Sequence, residues 1–181
     1  HVEAMRALLV YNSAAIDMSR ALEGEEAEHW REIAELLTPV SKAWCTDVGM
    51  EVTSTAIQIY GGMGYVEESG VAQHFRDARI APIYEGTNGI QAMDLVGRKL
   101  GMRMGGVVAE HLQRMRELDE ALASAGDEFA SIRTELAAAV DALDGVTNWI
   151  MTNGLANPVE ALAGATPYLR IFGIVTGERF H

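Results

Sequence analysis

The sequence predicts an all-α protein, a helical bundle followed by a second, smaller helical unit. Apolar residues recur at spacings of three and four along most of the chain, which is the period of an amphipathic helix. Runs of alternating apolar and polar residues, which would indicate strands, are nearly absent. Clusters of glycine and proline divide the helical segments from one another.

Two helices are predicted at the start of the chain, joined by a turn at Gly24. The apolar face of the first helix contains Val2, Met5, Leu9 and Ile16. The second helix begins its apolar pattern at Trp30 and runs toward Tyr60. Pro39 lies inside this pattern, so we expect a kink or a tight break there, with Thr38 as the N-cap if a new helix begins.

A glycine run at residues 61–64 is predicted to end the second helix, because three glycines in four positions cannot hold a stable helix. A short helix is expected over residues 70–78. The segment 81–86 is expected to be an extended loop, since Pro82 disfavours helical backbone at the residue before it.

The rest of the chain is predicted to be helical as well. Thr87 is the expected N-cap of a helix that continues to about Leu122, with Gly101, Gly105 and Gly106 weakening it. Asp127 is the expected N-cap of the next helix. The cleanest apolar stripe in the chain then follows, formed by Phe129, Ile132, Leu136, Ala139, Leu143, Val146 and Ile150. The pairs 157–158 and 166–167 each place a proline after a capping residue and predict two last short helices.

A boundary near residue 101 divides these predictions into two domains. Residues 1–101 form the helical bundle, and residues 102–181 form an incomplete C-terminal helical extension. The apolar stripe of the extension has two interpretations. It is either an oligomerisation surface or an ordinary amphipathic helix packed inside its own subunit, and the second is favoured because such stripes also occur in bundles.

Composition excludes several classes of function. The net charge of −12 argues against a nucleic-acid-binding protein, and no apolar run is long enough to span a membrane. The single cysteine, Cys45, is expected to be a buried, inert thiol in a reducing compartment. The acidic charge is that expected of a bacterial cytoplasmic protein. The histidines lack the spacing of metal ligands, so no metal site is predicted from His1, His29, His74, His111 and His181.

Two motifs invite a functional interpretation. The first, residues 58–65, is a glycine run that is either a helix C-cap or a place where the backbone approaches a ligand closely. In the second, residues 83–87, Glu85 is either a capping acid at a helix start or a general base. Residue types alone favour the structural interpretation of both.

The two motifs together resemble the C-terminal helical domain of the flavin-dependent acyl-CoA dehydrogenases. The resemblance rests on Gln58-Ile59-Tyr60-Gly61-Gly62-Met63-Gly64-Tyr65 and on Arg76-Asp77-Ala78-Arg79-Ile80 running into Ile83-Tyr84-Glu85-Gly86-Thr87. Their order and spacing match the family. Residues from about Met102 onward resemble the extension of the large bacterial members, most clearly at Gly164-Ala165-Thr166-Pro167-Tyr168-Leu169-Arg170.

The resemblance implies a role for each matching residue. Glu85 would be the base that removes the α-proton of an acyl-CoA thioester, giving a trans-2-enoyl-CoA, and its backbone N–H would contact the thioester oxygen. Residues 84–86 (Tyr84, Glu85 and Gly86) would bind substrate. Gly86, Thr87 and the backbone of Gly89 would contact FAD. Smaller members carry a polar side chain at the position of Gly89, so this contact is reduced here.

Other residues are given supporting roles by the same resemblance. Gln58, Gly61 and Gly62 would reach the adenine-pyrophosphate part of an FAD held mainly by a neighbouring subunit. Arg76 and Asp77 would form a structural ion pair that holds the loop carrying the base.

The resemblance also implies partners, and it leaves the acyl chain and the class of activity open. It implies an acyl-CoA substrate, an electron-transferring flavoprotein as acceptor, a homodimer or homotetramer, and a fragment that is inactive alone because two further domains complete the site. The acyl chain stays open between long chains and methylthiopropionyl-CoA. A non-catalytic oligomerisation module and an acyl-CoA oxidase of the same fold are the alternatives, and the first has no need of an acid at Glu85.

Overall fold

The computed structural model describes residues 1–178, and every regular element within that range is helical, as the sequence predicts. In chain order the helices are α1 (Val2–Ala21), α2 (Gly24–Ile59), α3 (Gly62–Tyr65), α4 (Val71–Ala78), α5 (Asn88–Asp94), α6 (Gly106–Ala125), α7 (Ala130–Asn153), α8 (Pro158–Ala163) and α9 (Ala165–Glu178). Short 3₁₀ turns lie at Glu67–Ser69, Met102–Gly105 and Asp127–Phe129, and a π-helical turn spans Leu95–Lys99.

The long helix α2 is the centre of the molecule, and α1, α4, α5 and α9 all pack against it. It continues without a break through Pro39, which is buried, so both the tight break and the alternative of a new start at Thr38 are wrong. The Thr38 hydroxyl instead donates to the carbonyl of Ala34 at 2.6 Å, within the same helix. Burial of this face in the core offsets the backbone hydrogen bond that proline cannot donate.

The glycine run does end α2, with Gly61 in the left-handed region at φ 59°. The run is not devoid of helix, however, because Gly62–Tyr65 forms the single turn α3. Gly64 makes this possible, since a Cβ there would lie 2.9 Å from the Cα of Ile57. The short helix expected over residues 70–78 is present as α4.

The predicted long helix from Thr87 to Leu122 is wrong. It is divided into α5, the π-helical turn and α6. Arg103 and Met104 have φ values of 47° and 55°, which reverses the chain before α6. The Arg103 guanidinium binds Glu32 on α2 at 2.8 Å and Glu110 on α6 at 2.8 Å, so ion pairs hold the reversed segment in place.

Helix starts in the second half follow the sequence in part. Asn157 precedes α8 with a proline at its first turn, as predicted. Asp127 does not cap α7, because a 3₁₀ turn intervenes and Phe129 takes the cap position. The helix α9 begins at Ala165, before the predicted cap Thr166, and its proline falls in the first turn, where N–H groups lack helical partners.

The stripe on α7 faces the interior of its own chain. Leu136, Val140, Leu143, Thr147 and Ile150 are buried, and α7 packs against α6 and α9. Two stripe residues, Ile132 and Val146, are partly outside the core, with 56% and 40% exposure. The inward stripe is therefore an ordinary packing face, which was the favoured interpretation.

A single hydrophobic core contains residues from both sides of residue 101. The last helix, α9, joins the two parts by packing on α1, α2, α5 and α7. Within residues 1–178, no helix combines the length and apolar character that a membrane span requires.

Candidate functional site

The second motif lies on a loop between α4 and α5 that is wound into turns. The N–H of Ile83 donates to Ile80 O at 2.9 Å, and the N–H of Asn88 closes the loop onto Pro82 O at 3.1 Å. The extended conformation expected for residues 81–86 is therefore wrong over its first half. Pro82 fits the turn because no hydrogen bond is required from its nitrogen.

Glu85 stands at the outer end of this loop with its side chain exposed. It has φ 57° and is followed by Gly86 at φ 79°, so two consecutive residues lie in the left-handed region. A non-glycine residue there costs about 1 to 2 kcal/mol and persists only when neighbours hold it. Gln91 supplies one restraint by donating to the carbonyl of Glu85 at 3.1 Å.

Glycine is favoured at position 86 for two reasons. Its φ disfavours any side chain, and a Cβ would lie 3.0 Å from the side-chain nitrogen of Gln91. Gly89, by contrast, has room for a side chain, because its nearest neighbour would be the Thr87 hydroxyl at 4.0 Å. Packing within this chain therefore does not require glycine at position 89.

Thr87 caps α5, as the sequence predicts. Its hydroxyl accepts from the N–H of Ile90 at 3.3 Å, and its carbonyl accepts from the N–H of Gln91 at 3.0 Å. The cap fixes the junction between the Glu85 loop and the helix that follows.

Lys42 and Asn88 also hold the loop, and the sequence analysis missed both. The Lys42 ammonium donates to Gly86 O at 2.7 Å and to the side-chain oxygen of Asn88 at 2.7 Å. Asn88 donates in turn to Thr46 Oγ1 at 2.9 Å and to Asp47 Oδ1 at 2.7 Å. A lone cation inside the apolar stretch of α2 was the available signal for Lys42.

The electrostatics of Lys42 reflect this position. Burial lowers the pKa of its ammonium, while the carboxylates of Asp47 and Glu85 act in the opposite direction. Lys42 is therefore a partly desolvated cation on α2 that contacts the Glu85 loop.

The loop also contains backbone donors without a partner among the described residues. Among residues 1–178, we find no acceptor in the chain for the backbone N–H groups of Glu85, Gly86 and Thr87. Together with the exposed carboxylate of Glu85, this surface offers hydrogen-bond donors and a proton acceptor within one short segment.

The first motif lies at the C-terminal end of α2, the helix that also carries Lys42. Gln58 is exposed near the end of α2, with Gly61 and Gly62 just beyond it. Gln58 is 16 residues after Lys42, and at about 1.5 Å per residue it lies about 24 Å along the helix axis. One chain therefore does not bring Gln58, Gly61 and Gly62 to the Glu85 loop.

The expected ion pair between Arg76 and Asp77 is not formed. Arg76 lies 3.6 Å from Glu67 instead. Gln73 links the two predicted partners, because it accepts from Arg76 at 2.7 Å and donates to Asp77 at 2.5 Å. Neighbours in a helix point in different directions, which separates their side chains.

The remaining candidate groups from the sequence are the cysteine and the histidines. Burial raises the pKa of the Cys45 thiol to about 12, which fits the expected inert thiol. Within residues 1–178, no three acidic, histidine or cysteine side chains lie together as a metal site would require. His181, one of the histidines considered, lies outside the described residues.

Comparison with known proteins shows the family. The profile of the family described as acyl-CoA dehydrogenase, C-terminal domain, matches residues 2–101, and that described as acetyl-CoA dehydrogenase C-terminal like matches residues 108–177. A 3-methylmercaptopropionyl-CoA dehydrogenase of Ruegeria pomeroyi is 40% identical over 97% of this chain and 30% of its own length. A butyryl-CoA dehydrogenase of Syntrophomonas wolfei is 34% identical over 84% of this chain and 25% of its own length.

A solved structure agrees with the fold. Caenorhabditis elegans ACDH-11, determined in complex with C11-CoA, aligns with a TM-score of 0.75 and 19% identity over 96% of this chain and 29% of that one. The chain thus spans about 30% of the length of the Ruegeria relative and of the nematode structure that it matches. The chain belongs to the acyl-CoA dehydrogenase family.

Proposed function

We propose that this chain is the C-terminal part of an FAD-dependent acyl-CoA dehydrogenase in which Glu85 is the base. The observation that carries the proposal is the Glu85 loop, where a left-handed backbone held by Gln91 and Lys42 presents an exposed carboxylate beside unpaired N–H groups. A capping acid would not need this conformation, since Thr87 already caps α5.

The proposed reaction removes two hydrogens from adjacent carbons. The Glu85 carboxylate takes the α-proton of the acyl-CoA thioester, and the C–H electron pair forms the new double bond. Negative charge that develops on the thioester oxygen is stabilised by a backbone donor, for which the free N–H of Glu85 is suited. Tyr84 and Gly86 flank the base and line the substrate side of the loop.

FAD, when bound, supplies the acceptor for the hydride that leaves the β-carbon. The residues present fit a cofactor of this kind. Gly86 allows close approach, the N–H groups of Gly86 and Thr87 are available, and Gly89 contributes backbone only. Gln58, Gly61 and Gly62 would contact a second FAD, which the separation of about 24 Å along α2 supports.

Exposed apolar residues, both at the end of α2 and on the Glu85 loop, support the proposal that other protein covers these two regions of the chain. Tyr60, Tyr65 and Tyr84 are 59%, 81% and 52% exposed, and Ile59 is 78% exposed. Surfaces of this kind are commonly covered by other protein. We therefore propose that further domains and a homodimer or homotetramer complete the site, with an electron-transferring flavoprotein as acceptor in the cytoplasm.

The test uses the full-length protein loaded with FAD. It is mixed without oxygen with 3-methylmercaptopropionyl-CoA, butyryl-CoA and long-chain acyl-CoAs, and the absorbance of oxidised flavin is followed while products are identified by mass. We expect one acyl-CoA to bleach the flavin and yield a product two hydrogens lighter. Unchanged flavin with every acyl-CoA would overturn the proposal. Fast reoxidation of the bleached flavin after air is admitted would favour an oxidase.

A further inference from the structure

We propose that Lys42 is a positioning residue that holds the Glu85 loop in its reactive conformation. The proposal rests on the function proposed above, because it assigns to Lys42 the orientation of the Gly86–Thr87 peptide, one residue beyond the proposed base. It adds a residue that lies 43 positions before Glu85 in the chain, on the helix α2, whereas Glu85 lies on the loop between α4 and α5.

The contact geometry connects Lys42 directly to the loop. Its ammonium donates to Gly86 O and to Asn88 Oδ1, both at 2.7 Å, so it spans Thr87 from one side to the other. Asn88 is fixed on α2 by Thr46 and Asp47, at 2.9 and 2.7 Å. The lysine is thus half-buried, and its ammonium is hydrogen-bonded to two acceptors, so it is not a free surface cation.

Two consecutive carbonyls of the loop are held by side chains. Gln91 donates to the carbonyl of Glu85 at 3.1 Å, and Lys42 donates to that of Gly86 at 2.7 Å. In a planar trans peptide the N–H points away from the C=O, so each bond also sets the direction of the following N–H. These are the N–H groups of Gly86 and Thr87, which have no acceptor among residues 1–178.

The left-handed backbone explains why a strong donor is needed. Glu85 at φ 57° would relax toward an ordinary conformation if its neighbours released it. A charged donor bonds a carbonyl more strongly than a neutral one, and Lys42 is the cation placed to do so. Release of the loop would move the Glu85 carboxylate while leaving the distant parts of the site unchanged.

The test compares variants of the full-length, FAD-loaded protein with the acyl-CoA that bleaches the wild type. Lys42→Met keeps the length of the side chain and removes its donor, and Lys42→Arg keeps the charge. Lys99→Met is the matched control, since Lys99 is also buried and paired, with Glu35 at 3.1 Å, but lies on the π-helical turn. Bleaching rate at saturation and acyl-CoA affinity are measured separately.

We expect Lys42→Met to bleach about 10- to 100-fold more slowly, the loss typical of a reacting group displaced by about 1 Å. Its acyl-CoA affinity should stay close to that of the wild type, Lys42→Arg should recover part of the rate, and Lys99→Met should retain it. A wild-type rate in Lys42→Met would overturn the proposal, as would an equal loss in Lys99→Met.

The variants also distinguish failure of the proposed function from failure of the role proposed for Lys42. If Glu85→Gln bleaches like the wild type, the proposed function fails, whereas a block in Glu85→Gln with a normal rate in Lys42→Met overturns the role of Lys42 alone. If Lys42→Met does not retain FAD, Lys42→Gln replaces it. A wild-type rate in that variant overturns the proposal, and a slow rate that Lys42→Arg recovers supports it.

Discussion

Gly173 on α9 packs directly against Trp44 on α2. A Cβ built on Gly173 would lie 2.7 Å from both Cβ and Cδ1 of the indole side chain, and one on Gly177 would lie 2.8 Å from its Cη2. Both glycines and Trp44 are buried. The close approach joins the last helix to the helix that carries Lys42, so the extension supports the frame of the candidate site.

This contact predicts that Gly173→Ala destabilises the chain. Trp44 is large and buried, so the added methyl group has nowhere to go, and overpacking of this kind costs about 1 to 3 kcal/mol. Urea unfolding of the chain measures the change. Gly145→Ala is the control, because Gly145 is helical, exposed and has nothing within 4 Å, and we expect it to stabilise by up to about 1 kcal/mol. Equal effects of the two substitutions would contradict the packing.

The cap on α5 predicts a local effect of Thr87→Ala. Loss of the hydroxyl leaves the N–H of Ile90 without its partner and costs about 0.5 to 2 kcal/mol. Hydrogen exchange of the backbone N–H groups of Ile90 and Gln91 should become faster. Thr87→Ser keeps the acceptor and should restore protection. Unchanged exchange in Thr87→Ala would show that the cap contributes little.

The raised pKa of the Cys45 thiol predicts slow alkylation of the folded chain and a fall in the free energy of unfolding at alkaline pH. Burial raises its pKa from 9.0 to about 12, so at pH 8 iodoacetamide should modify the folded chain at least about tenfold more slowly than the urea-unfolded chain. A pKa raised on folding means that the unfolded chain releases the proton first. The thiol's contribution to stability is therefore complete below pH 9 and is lost as pH rises toward about 12.

Cys45→Ala isolates that contribution. The free energy of unfolding of this variant should fall less steeply than that of the wild type between pH 9 and about 12. Parallel curves, or equal alkylation of the folded and unfolded chains, would contradict the burial of the thiol.

The predictable parts of the fold are those governed by local pattern. The apolar period predicts that α1, α2 and α7 exist, and the caps Thr87 and Asn157 mark true helix starts. The predicted apolar face of α1 is wrong in part, because Val2 and Leu9 are 48% and 45% exposed and the buried face contains Ala4, Leu8 and Ala15 instead.

At the division between α5 and α6, the glycines that weaken the predicted helix mark the right place, and Gly105 lies there at φ 91°. The break itself was not predicted, because the segment is also held by ion pairs from Arg103 to Glu32 and Glu110. No local signal encodes such a contact.

The candidate site, too, was predicted only where its residues are neighbours in the sequence. Glu85, Gly86 and Thr87 lie in one contiguous motif, so the sequence places them together. Lys42 is brought to the loop only by the packing of α5 on α2, and its bond to Gly86 spans 44 positions. Arg76 also finds Glu67 rather than its sequence neighbour, because helix geometry and not adjacency decides which side chains meet.

The most direct measurement is flavin bleaching by a reactive acyl-CoA in full-length Glu85→Gln, without oxygen. The account predicts binding like that of the wild type with bleaching slowed by about 100-fold or more, the usual contribution of a general base. Glu68→Gln, at an exposed acid on the 3₁₀ turn before α4, should bleach normally. Bleaching of Glu85→Gln at the wild-type rate would show that another group removes the proton and would contradict the central claim.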